Sequence, residues 1–241
     1  LLTLGGDHAV AAGTLSAVLR HRPRTKVVWV DAHADLHTPA TSPSGNLHGM
    51  PLGLLTHGVH DRSAASLPGF GWLRPCLDPE DLVYVGLRDV DAYEQEAIRR
   101  LGIRAYTMFD VDRLGIGEVM RQVGEHVGHH NVHLSFDIDA CDPFFAPSTG
   151  TAVGGGLTFR EAHFICEYLA DTRRLTSMEM VEVNTAVAPA SGRSTVDVAK
   201  GLVLSALGSS IMWPVEAGRR YEGATGRPRF ASGRRGEGGG C

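Results

Sequence analysis

The chain has little of what marks secreted, membrane and nucleic-acid-binding proteins. Its cysteines, Cys76, Cys141, Cys166 and Cys241, lack paired spacing, which argues against a disulfide framework or a CxxC zinc site and favours a reducing compartment. No apolar run approaches the about 20 residues that a membrane helix needs. The net charge of −4 offers no basic excess for nucleic acid. These absences favour a soluble protein that acts on small molecules.

The length of 241 residues and the 43% hydrophobic content predict one domain with a sizeable core. We expect the folded domain to cover residues 1–214 and a flexible Gly/Arg-rich tail to cover 215–241, where apolar periodicity is lost. The sequence opens inside the apparent strand "LLTL", so we expect it to begin within a domain, with any targeting segment out of view.

Apolar runs alternate with segments of helical composition. The runs lie at 1–4, 27–30, 82–87, 132–136 and 178–183, and the helical segments at 9–21, 92–101, 157–172 and 194–210. Strands that are apolar throughout and alternate with helices predict parallel pairing covered on both faces. The expected fold is therefore an α/β three-layer α/β/α sandwich with a central, mainly parallel sheet, and ligands should bind beyond the carboxyl ends of its strands.

Two residue pairs and one glycine predict helix ends. Thr158 and Glu161 have the spacing of a capping box, and Ser194 and Asp197 have a similar spacing before the last helix. Gly102 stands where a helix over 92–101 would need a C-terminal glycine.

Acidic and imidazole side chains follow three of the predicted strands. In the extended stretch "VVWVDAHADLHT", Asp31, His33 and Asp35 alternate and should project to one side, as should Asp137 and Asp139 in "SFDID". His8 follows a third strand in "GGDH". The sequence therefore predicts that these six side chains meet at one edge of the sheet.

Four carboxylates facing one another in a partly dry cleft would repel, so cations must neutralise them. Two divalent metals balance the formal charge. A set of four carboxylates and two imidazoles suits a pair of Mn²⁺-type ions about 3.5–4 Å apart, with zinc, iron and cobalt left open. Because a bridged cation pair lowers the pKa of the water it shares, such a site is suited to hydrolysis.

The motifs "LGGDH", "VDAHAD", "SGNLHG", "GLRDVD", "SFDIDACDP", "GTAVGGGLTFRE" and "MEMVEVN" together resemble the ureohydrolase superfamily, and arginases in particular, from about Leu2 to Leu207. The resemblance implies a binuclear manganese hydrolase of arginine metabolism and the urea cycle, which cleaves L-arginine to L-ornithine and urea. It also implies that Asp31 and Asp137 bridge two Mn²⁺ ions. His8 and Asp35 would complete one metal's shell, and His33 and Asp139 the other's.

The resemblance assigns further roles around the metals. His48 matches the proton-shuttle histidine, Glu182 matches the carboxylate that holds the guanidinium, and Thr151 matches a neighbour of that glutamate. The expected catalytic residues are His48, Glu182 and the metal ligand Asp35. The remaining substrate contacts implied are His37, Ser44, Asn46, Asp91 and Glu94. Ser44 would meet the α-carboxylate and Asp91 the α-ammonium, although Asp91 and Glu94 also have the spacing that caps a helix.

Several departures from the family pattern leave alternatives open. Arginases usually place Asn where this chain has His37, so a related ureohydrolase acting on agmatine or another guanidino compound is an alternative. The family's first strand and helix are missing before "LTLGGDH", so part of the sheet should lack cover, and an inactive truncated fragment is a further reading. The resemblance implies a homotrimer, but the tail lacks the pattern of the family's trimer contacts. It also implies an intracellular location, cytoplasmic or mitochondrial.

Overall fold

A computed structural model describes residues 1–209, which build a six-stranded sheet. Every pair of neighbouring strands in it is parallel. The spatial order is β1-β6-β5-β2-β3-β4. The strands are β1 (Leu2–Leu4), β2 (Lys26–Val30), β3 (Leu82–Leu87), β4 (Arg104–Thr107), β5 (Val132–Asp137) and β6 (Leu175–Val181).

Helices connect the strands across both faces of the sheet. Within the described residues they are α1 (Ala11–His21), α2 (Pro51–Leu55), α3 (Ala92–Leu101), α4 (Met108–Leu114), α5 (Ile116–Val127), α6 (Phe159–Asp171) and α7 (Gly192–Ala206). Short 3₁₀ turns at His8–Val10, Leu47–Gly49 and Ile138–Ala140 carry site residues.

Alternate residues of β2 enter two separate hydrophobic cores. Val28 and Val30 pack in the core that includes residues of α5, α6 and α7. Val27 and Trp29 pack in the other core, with residues of α1, α2 and α3. Because side chains alternate along a strand, one buried strand supplies both cores. The predicted α/β/α sandwich is confirmed.

Most predicted elements occur close to their expected bounds. The helix predicted over 92–101 and its left-handed Gly102 are present, and Thr158 and Glu161 form a capping box. The cap predicted from Ser194 and Asp197 is wrong.

That last helix already begins at Gly192, and the Ser194 hydroxyl instead donates to the Ser191 carbonyl. The expectation missed β4, α2, α4 and α5.

The two edges of the sheet are β1 and β4. Leu2 and Leu4 of β1 are 38% and 72% exposed. Across residues 1–209, none of the helices has the length and apolar character to cross a membrane. The tail predicted at 215–241, with the adjoining 210–214, lies outside the described residues.

Candidate metal centre and substrate site

The predicted ligands do gather at the carboxyl end of the sheet, but not through strand alternation alone. β2 ends at Val30, and the residues from Asp31 to Asp35 leave the extended conformation. Asp35 has a φ of 52°, in the left-handed region. Asp139 likewise lies in a 3₁₀ turn beyond β5. The expectation of one extended stretch is therefore wrong, because turns rather than strands aim the later ligands.

One group of ligands surrounds His8. Its Nδ1 atom lies 3.1 Å from Asp31 Oδ2, 3.2 Å from Asp35 Oδ2 and 3.1 Å from Asp137 Oδ2. All four residues are buried, with relative exposures of 6% or less. The β1–α1 connection, the segment that follows β2 and the last residue of β5 thus bring three carboxylates and one imidazole to a single point.

A second group lies beside the first. His33 Nδ1 is 3.3 Å from Asp31 Oδ1 and 3.2 Å from Asp139 Oδ2. The Thr151 hydroxyl donates to the same Asp139 oxygen at 2.9 Å. Asp31 therefore presents one oxygen to each group, which is the arrangement of a ligand shared by two cations.

The side chains fit cations better than they fit one another. Ligand atoms at right angles around a small divalent ion, each about 2.1 Å from it, lie about 3.0 Å apart, close to the spacings seen here. His8 Nδ1 is buried and has no hydrogen-bond partner among residues 1–209, although three carboxylates face it. A buried imidazole nitrogen that faces three carboxylates and whose ring is held from the other side is the arrangement of a metal ligand.

The pKa values of the ligand side chains also indicate an excess of negative charge in the cluster. Burial, followed by repulsion from Asp31, raises the pKa of Asp35 to about 7 and also raises the pKa of Asp137 and Asp139. Burial alone would lower the pKa of His33, but contacts with Asp139 and Asp31 outweigh it and raise the pKa to about 11. Without cations the cluster therefore holds protons that divalent ions would displace.

Supporting side chains orient the ligands. Trp29 donates through Nε1 to Asp31 Oδ2 at 3.0 Å, and its ring stacks on His8 at 4.1 Å. His8 Nε2 lies 2.8 Å from the Ser135 hydroxyl, which donates to the buried Glu179. Sequence reasoning missed Trp29, Ser135 and Glu179. A signal existed for two of them, because Trp29 and Ser135 each lie on a strand, two residues before the first ligand at its carboxyl end.

His48 and Glu182 lie next to the first group. Glu182 follows β6 with a φ of 62°, and its Oε1 accepts a hydrogen bond from the His8 backbone N–H at 2.6 Å. His48 Nδ1 is 3.9 Å from the same oxygen, and its side chain remains 27% exposed. Burial raises the pKa of Glu182. Beside the first ligand group, the structure therefore places a poorly solvated carboxylate, Glu182, next to an accessible imidazole, His48.

The remaining predicted residues, which we call the rim, lie in the segment after β2 and at the start of α3: His37, Ser44, Asn46, Asp91 and Glu94. Asp91 and Glu94 make the capping box of α3, and the buried Glu94 also accepts from the Leu36 N–H at 3.1 Å. His37 Nε2 lies 3.0 Å from Asp91 Oδ2. Ser44 and Asn46 are exposed in the loop before His48, where the Ser44 hydroxyl accepts from the Asn46 N–H at 3.2 Å.

A glycine lets the rim segment approach α2 closely. A Cβ atom at Gly53 would lie 2.0 Å from the His37 carbonyl oxygen, so the helix could not pack there with any larger residue. The backbone N–H groups of Leu52 and Gly53 both donate to the Asp35 carbonyl at 3.1 Å. These contacts fix the segment that carries Asp35 and His37.

The fold and this cluster define an α/β protein with a place for two neighbouring cations at the carboxyl end of a parallel sheet. The chain belongs to the arginase family, whose model matches residues 1–208. It is 48% identical to an arginase of Glaciozyma antarctica and 46% identical to the mitochondrial arginase-2 of Rattus norvegicus, over 88% and 87% of this chain. It spans only 62% and 60% of those two proteins.

Solved structures agree on the fold. The crystal structure of an arginase from Bacillus subtilis has a TM-score of 0.79 and 40% identity, with 88% of this chain and 73% of that chain covered. The likeness therefore extends over nearly all of the described residues.

Proposed function

We propose that the protein hydrolyses the guanidinium group of L-arginine to give L-ornithine and urea, with two Mn²⁺ ions at the shared cluster. The observation that carries this proposal is the pair of ligand groups joined by Asp31, with Glu182 and His48 directly beside them. The arginases named above support the choice of substrate.

The donor set fits the metals. His8, Asp35 and Asp137 would hold one ion, His33 and Asp139 the other, and Asp31 would bridge both; we also propose Asp137 as the second bridge. Carboxylate and imidazole ligands suit Mn²⁺. When bound, the two cations supply Lewis-acid activation of water for hydrolysis.

Glu182 is the residue we propose for guanidinium recognition. Its carboxylate is only 11% exposed, and burial raises its pKa, so an incoming cation gains from a poorly solvated partner. A planar guanidinium can donate two parallel hydrogen bonds to such a carboxylate. Thr151 lies on the same side of the site, since a Cβ at the preceding Gly150 would be 3.7 Å from Glu182 Oε2.

His48 is the residue we propose for proton transfer. The amine leaves only after protonation, and an imidazole close to the guanidinium site with access to solvent can supply that proton. His48 has both properties, 3.9 Å from the Glu182 carboxylate and 27% exposed.

The other end of the substrate would meet the rim. We propose that Ser44 and Asn46 contact the α-carboxylate and Asp91 the α-ammonium, with His37 and Glu94 beside them. The homotrimer, the cytoplasmic or mitochondrial location and the metal carried in the cell stay predictions.

The test is urea release from L-arginine by the purified protein supplied with Mn²⁺. We expect turnover, and we expect His48→Ala to lower kcat by about 10²- to 10⁴-fold. His57→Ala is the matched control, because His57 is an exposed histidine near Asp78 and outside the site. A folded, metal-loaded protein that releases no urea would overturn the proposal.

Agmatine is a second candidate substrate, favoured by one observation. Both ring nitrogens of His37 face protein groups, so neither is free for an α-carboxylate, which agmatine lacks. Comparing kcat/KM for the two compounds decides between them, and a preference for agmatine would replace L-arginine in the proposal.

A further inference from the structure

We propose that His37 is a positioning residue: it holds Asp91 in place for a substrate amino group and does not itself contact the substrate carboxylate. This inference rests on the proposed function, because it concerns how the same site selects among guanidino compounds.

Both nitrogens of the His37 ring are engaged within the protein. Nε2 lies 3.0 Å from Asp91 Oδ2, and because an ionised carboxylate only accepts, Nε2 carries the proton and donates it. Nδ1 lies 3.2 Å from the Thr41 hydroxyl. Both ring nitrogens are therefore occupied within the protein, and neither is left to bind a substrate carboxylate.

The ring is also held in place. His37 is 8% exposed, and its ring stacks on Tyr93 with centroids 5.3 Å apart and planes 17° from parallel. Its backbone N–H donates to the Gly49 carbonyl at 3.2 Å. Turning a nitrogen toward solvent would break the stacking and both side-chain hydrogen bonds at once.

Asp91 is fixed by this contact and still accessible. Its Oδ1 accepts from the Glu94 N–H at 2.9 Å, while Oδ2 accepts from His37. The side chain remains 45% exposed. Each carboxylate oxygen can accept more than one hydrogen bond, so Asp91 can bind an ammonium without releasing either partner. A carboxylate held at both oxygens meets its ligand with little loss of side-chain entropy.

This arrangement predicts which feature of the substrate His37 affects. If His37 acts through Asp91, it should matter for guanidino compounds with an amino group at the far end. If it contacted the carboxylate directly, it should matter for compounds with a carboxylate there. Three substrates separate the two cases: L-arginine carries both groups, agmatine only the amino group, and 5-guanidinopentanoic acid only the carboxylate.

The experiment compares the Mn²⁺-loaded wild type with His37→Phe, which keeps a ring against Tyr93 and removes both nitrogens. We expect KM to rise about tenfold for L-arginine and agmatine with kcat little changed, and the KM for 5-guanidinopentanoic acid to stay constant. His37→Gln should recover part of the loss, because its amide can place an N–H near the position of Nε2. His57→Phe is the control for removing a histidine near an aspartate elsewhere.

A double-mutant cycle sharpens the test. Once Asp91→Asn is present, His37→Phe should add little further loss for L-arginine, since both changes remove one interaction. A loss for L-arginine and 5-guanidinopentanoic acid that spares agmatine would overturn the inference, as would additive effects of the two variants.

Binding measurements separate this inference from the proposed function. Calorimetry with L-ornithine, 1,4-diaminobutane and 5-aminopentanoic acid needs no turnover, and His37→Phe should weaken the first two and not the third. A wild type that binds L-ornithine yet releases no urea contradicts the function while the comparison still tests His37. A wild type that binds none of the three contradicts both.

Discussion

The two ends of the sheet treat buried charge in opposite ways. At the amino end, Lys26 opens β2 and its ammonium pairs with Asp81, just before β3, and with the Glu80 carbonyl at 3.0 Å. At the carboxyl end, the carboxylates of Asp31, Asp35, Asp137 and Asp139 have only the imidazoles of His8 and His33 as ion-pair partners within residues 1–209. The first end satisfies its charges within the chain, whereas the second end requires cations from outside.

Asp31, the ligand shared by the two groups, is the residue whose substitution should affect the carboxyl end of the sheet most. Asp31→Asn removes a charge from both, so we expect affinity for both Mn²⁺ ions and urea release to fall by at least about a hundredfold. Burial alone would raise the pKa of Asp31, but contacts with His33 and His8 outweigh it and hold that pKa below its usual range. The ionised side chain therefore stabilises the metal-free fold, and the variant should melt below the wild type. Metal titration, urea assay and calorimetry on the same samples measure all three effects.

At the amino end of the sheet, a substitution should lower stability and leave metal binding and turnover unchanged. Lys26→Met leaves the buried Asp81 without its partner, so the free energy of unfolding should fall by about 3 kcal/mol. Turnover per folded molecule and Mn²⁺ affinity should not change, because Lys26 begins the strand whose other end carries Asp31. Chemical denaturation measures the loss. A double variant, Lys26→Met with Asp81→Leu, should recover most of it, and no recovery would contradict a pairing role.

A smaller effect should appear in the pH dependence of metal stabilisation. The pKa of Asp35 rises from 3.8 to about 7 on folding, so the stability this group contributes is present below pH 4 and lost as pH rises through 7. The pKa of His33, raised to about 11, acts in the same direction above pH 6.5. The metal-free protein should therefore lose stability as pH rises.

Cations compete with those protons, so the increase in melting temperature on adding Mn²⁺ should be larger at pH 8 than at pH 5.5. Each displaced proton contributes about a tenfold change in apparent affinity per pH unit over the range where the side chain holds it. Calorimetry at fixed Mn²⁺ concentration measures the difference. An increase that is equal at both pH values would contradict the charge excess described here.

The sequence predicted the gathering of the six ligands because parallel strands end at one edge whatever the loops do. Asp31 and Asp137 needed no more than that. The turns that aim His33, Asp35 and Asp139 could not be predicted from alternation, since tertiary contacts hold the left-handed Asp35 in place. β4 was missed because it is a short edge strand, partly exposed, with no apolar run.

The contact between His37 and Asp91 could not be predicted from the sequence, for a different reason. Fifty-four positions separate His37 from Asp91, and the contact depends on ring orientation, which the stack on Tyr93 sets. The sequence analysis expected His37 among the substrate contacts, and an imidazole N–H can donate a hydrogen bond. In the structure, both of its nitrogens instead contact protein groups, Asp91 and Thr41.

The most direct test of the charge account is a calorimetric titration of the metal-free protein with Mn²⁺ at pH 8, with folding verified by circular dichroism. We expect the wild type to bind two ions per chain, and Asp31→Asn to bind one or none at the same concentrations. A folded wild type that takes up a single ion, or that binds two whether or not Asp31 is charged, would contradict it.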